Sequence, residues 1–249
     1  MKKIASTFCI LMFTLSALSA QDENPGFRFG VQASPMWSWV KTTDKKLEGT
    51  GSNWGLKFGV LGEFYFAPQY AFITGLGFSF NEGGNIQIGY ENADLWKESS
   101  LSETEYHMVP KDGKYHYRIT YVEIPFGLKL RGSAGADNPL GYYAEIPVFT
   151  IGFKSKAQGD IRGANFDPEP VDEDIRADVS DLAMSWGLGG GIEYKLSGGA
   201  NLVAGIHFQQ QFTNFKNDGR VQREPAGEYV DESSKGTMGI ITFRAGVFF

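Results

Sequence analysis

The sequence predicts an all-β fold: one eight-stranded antiparallel up-and-down transmembrane β-barrel. Three observations predict it. Eight segments alternate large apolar residues with small or charged ones. The connections between them alternate short and long. No stretch after the first twenty residues is apolar for the 18 or so positions that a membrane helix needs, whereas a strand crosses with about 9–11 residues and hides from hydropathy windows.

The chain begins like an exported protein. Lys2 and Lys3 precede an apolar run from Ile4 to Leu18, and small residues Ala17, Ser19 and Ala20 follow. That order is a signal peptide over residues 1–20, leaving 21–249 as the barrel domain. Cys9 lies inside the run and not at a cleavage point, so lipidation is not expected. The mature chain has no cysteine, which excludes disulfides and thiolate chemistry. Without Lys2 and Lys3 the 23 basic residues fall to 21 against 29 acidic ones, a net charge of −8. Nucleic acid, which requires a basic face, is not an expected partner.

Each segment justifies itself by period-two alternation, because successive strand side chains point to opposite faces. In 27–40 the apolar face is Phe27, Phe29, Val31, Trp37 and Trp39; in 54–66 it is Trp54, Leu56, Phe58, Val60, Phe64 and Phe66, opposed by Lys57 and Glu63. Segment 70–81 sets Phe72, Leu76, Phe78 and Phe80 against Gly75, Gly77, Ser79 and Asn81. Segment 118–131 sets Val122, Ile124, Phe126, Leu128 and Leu130 against Glu123, Gly127, Lys129 and Arg131. Segment 140–154 is irregular and should change phase near Pro147. In 182–196 the even positions are mostly large and apolar, from Leu182 through Trp186 to Leu196, and the odd ones are small, then Glu193 and Lys195. Segments 200–213 and 237–249 close the series with His207 and Arg244 on the polar face. Pro35, Pro125 and Pro147 each need a bulge or an unpaired position, since proline cannot donate to the ladder.

The connections are expected at 41–53, 67–69, 82–117, 132–139, 155–181, 197–199 and 214–236. With a periplasmic N-terminus, every long one lies outside the cell, the sorting that outer-membrane barrels show. A soluble barrel is the alternative. Aromatics near strand ends and a glycine-rich polar face favour membrane girdles around a crowded lumen.

The strand Tyr121-Val122-Glu123-Ile124-Pro125-Phe126-Gly127-Leu128-Lys129-Leu130 resembles the aromatic-x-Glu-Ile-Pro-x-x-x-Lys strand of the PorT-like outer-membrane β-barrel proteins of Bacteroidetes. The Ser-Ala-Gln junction, the Phe-Ala-Pro-Gln-Tyr turn at 66–70 and the terminal Phe-Phe resemble that family too. The resemblance implies outer-membrane lipid as surroundings and recognition of Phe249 by the barrel-assembly machinery. The family's namesake supports protein secretion, which implies an envelope or secretion-complex protein as a possible partner.

Candidate functional residues fall into three groups. Arg28, Lys57, Glu63, Glu123, Lys129, Arg131, Glu145, Glu193, Lys195 and Arg244 point inward and should pair as a structural lumen network, because an isolated buried charge costs several kcal/mol. A turn centred near residue 135 would set Glu123 opposite Pro147 and Glu145 opposite Pro125. Trp96 and Leu101 stand at the tip of the longest loop, where Trp96 is either an exposed partner anchor or packs on a neighbouring loop. Asp167, Glu169, Asp172 and Asp174 are a weak calcium candidate without EF-hand spacing, a solvated acidic loop being the plainer reading. No nucleophile stands with a base, no Gly-x-Ser-x-Gly elbow occurs, and no cofactor is implied. The sequence therefore points to a non-enzymatic barrel with a filled lumen, its loops serving partner binding or envelope integrity. The alternatives are an accessory component of a secretion or uptake complex, and a small-solute porin.

Overall fold

The computed structural model describes residues 26–133, 138–222 and 227–249. The signal-peptide reading of 1–20 lies outside them. Eight strands form a closed ring: β1 (Phe27–Thr42), β2 (Asn53–Ala67), β3 (Tyr70–Ile88), β4 (Lys114–Ser133), β5 (Leu140–Arg162), β6 (Leu182–Lys195), β7 (Asn201–Gln211) and β8 (Gly236–Phe248). Each pairs antiparallel with its sequence neighbours, and β8 closes on β1, with Gly30 opposite Phe248 and Thr42 opposite Gly236.

The outer wall is built from the predicted apolar faces. Trp54 is 64% exposed and Phe66 67%, and Phe58, Phe72, Trp186, Ile206 and Phe243 stand between them in height. Trp37 stacks on Trp54 at 6.2 Å between centroids, and Phe66 on Tyr70 at 6.1 Å, near the two edges of this belt. So much exposed apolar area on one surface implies an apolar surrounding.

The proline expectations hold. Pro35 pairs in register with Leu56 on β2 but is skipped on the β8 side. Pro125 pairs with Thr150 and is skipped on the β3 side. Pro147 falls in a bulge where β5 shifts register against both neighbours, and the inward parity changes there from Tyr143 and Glu145 to Val148 and Thr150.

The strands run further than expected. β3, β4 and β5 continue beyond the belt, so the connections expected at 82–117 and 155–181 shrink to 89–113 and 163–181. The cause is a polarity inversion. Beyond the belt these strands turn Ile86, Ile88, Tyr115, Tyr117, Ile119, Ala157 and Ile161 inward and bury them. Further bulges mark the transition. Phe80 and Asn81 of β3 and one extra residue of β5 loop out opposite Thr120. Asn81 takes φ 61°, a left-handed conformation that asparagine tolerates.

The long connections fold together over this extension. A four-stranded sheet orders Tyr229–Glu232, Gly219–Gln222, Asn92–Asp94 and Val109–Pro110. Leu47–Thr50 pairs with β3, and Glu173–Asp174 with β5. One apolar core joins the extension to this cap, through Leu47, Leu95, Trp96, Ile175, Val179 and Phe215.

Candidate functional site

The inward charges gather in three layers along the lumen. At the end carrying both termini, Lys129 from β4 lies between Glu63 of β2, at 2.6 Å, and Glu193 of β6. Arg28 reaches Glu193 at 3.4 Å and Glu63 at 3.7 Å, and Arg131 reaches Glu193 at 2.8 Å. Tyr65 donates to Glu63 at 2.6 Å. The Lys129 ammonium also sits 4.4 Å from the centroid of Tyr143 and 5.1 Å from that of Phe248, rings that seat a cation on their negative faces.

The middle layer joins Arg244 to Glu145 at 2.6 Å. His207 bridges Glu145 at 3.5 Å on one ring nitrogen and the Tyr143 hydroxyl at 3.1 Å on the other. The third layer sets Lys57 on Glu123 at 2.7 Å, Gln209 at 2.9 Å and Glu82 at 3.7 Å. Ser79 donates to Glu82 at 2.6 Å, and Gln209 to Thr150 at 2.8 Å.

Nine of the ten expected network residues are thus brought together. Lys195 is the exception. It keeps the inward parity of Glu193 but lies one step past it, exposed on a rim hollow with Arg131 and Glu193. The residue that sequence reasoning missed is Glu82. Its parity is wrong for the lumen until the bulge at Phe80–Asn81 turns it inward. The available signal was the break in alternation at Asn81-Glu82-Gly83-Gly84. With Lys195 out and Glu82 in, the network holds five cations and five carboxylates among the described residues.

The expected opposition of Glu123 and Glu145 with the two prolines does not occur. Glu123 faces Gly152 and Glu145 faces Lys129, because the hairpin turns nearer residue 137 and the Pro147 bulge shifts the register of the rest of β5. Each carboxylate therefore has its own cation.

Trp96 is not an exposed anchor. It is fully buried, edge-on to Tyr115 at 4.6 Å and to Tyr117 at 5.6 Å, and Tyr117 meets Phe215 at 5.2 Å. Leu101 is partly buried against the same core. The reason is the inverted polarity of the extension, which offers an apolar surface that an indole covers. Asp94, also fully buried, ties the cap segments by accepting from His107 at 3.1 Å and from Arg220 at 2.8 Å.

The acidic loop residues do not converge. Asp172 pairs with Arg118 at 2.8 Å, Asp174 with Arg176 at 2.7 Å, Glu169 accepts from the Gly163 N–H at 3.1 Å, and Asp167 is exposed. The hydrogen bonds and charge of Arg176 hold the Asp174 carboxyl below its ordinary range. Among the described residues no group of three His, Cys, Asp or Glu side chains is placed to hold a metal ion.

The family model described as "Outer membrane protein beta-barrel domain" matches residues 19–217. The chain belongs to that outer-membrane β-barrel family. This membership supports the bacterial outer membrane as its location, with the exposed belt facing lipid. Similar solved structures include a major outer membrane protein from Thermus thermophilus, 14% identical over 90% of this chain and 98% of that one, with a TM-score of 0.43. OprG from Pseudomonas aeruginosa is 15% identical over 89% and 95%, with a TM-score of 0.41. The outer membrane protease OmpT from Escherichia coli is 10% identical over 90% and 96%, with a TM-score of 0.35. No curated protein matches the sequence.

Proposed function

We propose that this is a non-enzymatic outer-membrane barrel with a closed lumen, whose folded cap stands outside the cell and serves partner binding or envelope integrity. The cap core carries this reading. Loops that only connect strands have no need to bury Trp96, Tyr115, Tyr117 and Phe215 together over the barrel mouth. The paired network supports closure, since every carboxylate in it has a cation and the central lumen space amounts to about 60 Å³. The orientation is supported by the connections. The two-residue turn at 68–69 and the turn at 196–200 share an end with both termini, so the N-terminus is read as periplasmic. At that end Phe249 pairs its backbone with Phe29 at 2.8 Å and keeps its ring exposed, the presentation expected of a signal to the assembly machinery. The PorT-like strand 121–130 supplies Glu123 and Lys129 to two different layers, so the resemblance falls on residues that pack the lumen. The secretion-accessory reading draws on that resemblance alone.

The test uses the absence of cysteine in the mature chain. Glu98 is exposed on the cap. In intact cells, an E98C variant should react with a membrane-impermeant maleimide, and the purified barrel should show no stepwise conductance in a planar bilayer. Labelling only after the envelope is broken would overturn the orientation, and steady ion conductance would overturn the closed lumen.

A further inference from the structure

Between the middle and third charge layers lies a cavity of about 60 Å³. Its polar lining includes Gln32, Thr150, His207, Gln209 and Thr242, with Lys57, Glu123 and Arg244 at its margins. Two of these side chains present buried polar atoms that no protein group satisfies, Gln32 Oε1 and Thr242 Oγ1. A buried polar atom without a partner costs about 1–3 kcal/mol, and a polar cavity of this size has room for several water molecules.

The glycines of the inner wall show that the space is kept. At Gly59, Gly75, Gly187, Gly189 and Gly205 an added Cβ would collide with a neighbouring strand or side chain, so those glycines permit close packing. Gly77 differs. Its φ is unremarkable, and a Cβ there would meet only the Phe58 carbonyl at 3.6 Å and the Glu123 Cβ and carbonyl at 3.9 Å, ordinary contact distances. Neither backbone conformation nor packing requires glycine at 77. What its missing side chain does is leave the cavity open.

We propose that this chamber is a built site for a small cluster of water molecules, which satisfies Gln32 and Thr242 and joins the Lys57–Glu123 layer to the Arg244–Glu145 layer. The occupants are water or a polar solute of that size, because nothing larger fits. The site makes the barrel interior one continuous hydrogen-bonded unit, with Gly77 as the residue that holds its volume.

The experiment is solution NMR of the refolded full-length mature protein in detergent micelles, together with its unfolding midpoint. In the parent protein, water should give long-lived cross-peaks to the side-chain amides of Gln32 and Gln209. Gly77→Leu fills the chamber with hydrocarbon. It should abolish those cross-peaks and lower the midpoint, since it displaces water and strands the polar atoms. Gly77→Ala adds only the tolerated Cβ and should retain both the fold and most of the cross-peaks. Absence of the cross-peaks in the parent overturns the proposal whether or not Gly77→Leu folds. A Gly77→Leu protein more stable than its parent also overturns it, because filling a dry cavity stabilises.

Discussion

The two halves of this barrel solve the same problem in opposite ways. Within the belt, β3, β4 and β5 turn Phe72, Phe126, Leu128 and Phe149 outward, and their inner face carries Glu82, Glu123, Lys129 and Glu145. Beyond Thr120 the same strands put Lys114, Arg118, Lys156 and Gln158 outside, and Tyr115, Tyr117, Ile119 and Ala157 inside. The difference lies in the surroundings. A strand surrounded by lipid must face outward with hydrocarbon, and what remains for the lumen is polar. A strand surrounded by water reverts to the ordinary arrangement with an apolar core. The bulges flanking Thr120 mark where one solution gives way to the other.

Breaking the charged half should have the largest effect. Lys129→Met leaves the buried Glu63 and Glu193 short of a cation. Removing one partner from a buried ion pair costs about 3–5 kcal/mol. Urea unfolding in lipid vesicles, followed by tryptophan fluorescence, should show that loss. Restoring the charge balance with Lys129→Met and Glu193→Gln together should recover part of it. A loss under about 1 kcal/mol for the single change would mean that water reaches these charges.

The apolar half should fail locally. Trp96→Ala removes the largest side chain of the cap core and should cost about 3–5 kcal/mol there. Segments 89–113 and 212–235 should become open to protease and to hydrogen exchange while the belt strands keep their protection. Equal loss of protection in the belt would show that the halves unfold as one cooperative unit, which would erase the distinction between them.

A smaller change addresses the boundary itself. Asn81 holds a left-handed backbone and donates to the Trp54 carbonyl at 2.6 Å. Asn81→Ala should cost about 1–2 kcal/mol and weaken the turn that brings Glu82 to Lys57. Asn81→Gly should cost less. Equal losses for both would place the cost in the hydrogen bond and not in the backbone.

These contrasts explain what the sequence discloses. The belt is legible because lipid tolerates no exceptions on the outer face, so Trp54, Phe58 and Leu128 announce their orientation by parity alone. The phase change at Pro147 is legible too, since proline names its own bulge. Glu82 is hidden because its parity depends on the bulge just before it, with Asn81 as its modest mark. Trp96 is misread because its neighbours in sequence, Lys97 and Glu98, are polar, while its neighbours in space come from β4 and from the loop after β7. Lys195 has the right parity and the wrong height, and height is set by where the strand ends.

The smallest expected effect is on pH, and it separates the halves by titration. His116 lies on the cap side of Thr120, outside the spanning part of β4. Its Nδ1 is 2.5 Å from Asn85 Oδ1, the contact of a neutral ring donating to that oxygen. Burial, then the nearby Arg162 and Arg118, push its pKa down to about 4, with Asp160 opposing them. The unfolded chain takes up this proton near the ordinary histidine value of about 6.5. Between those values the unfolded state binds more protons, so cap stability should fall as the pH drops from about 6.5 to about 4. Asp160 acts in a separate window. Burial raises its pKa, but hydrogen bonds from the Asp172 N–H, Arg162 and Arg118 outweigh that and hold it below the usual carboxylate range. Its contribution persists above the unfolded value of about 3.9 and is lost only under stronger acid. Hydrogen exchange of segment 89–113 at pH 7 and pH 5 should therefore show weaker protection at pH 5. His116→Gln should flatten that change, and His107→Gln, which alters the Asp94 tie, serves as the control. An unchanged profile in the parent protein would mean that the His116 ring is open to water, and that this side of the cap is looser than its buried aromatic core implies.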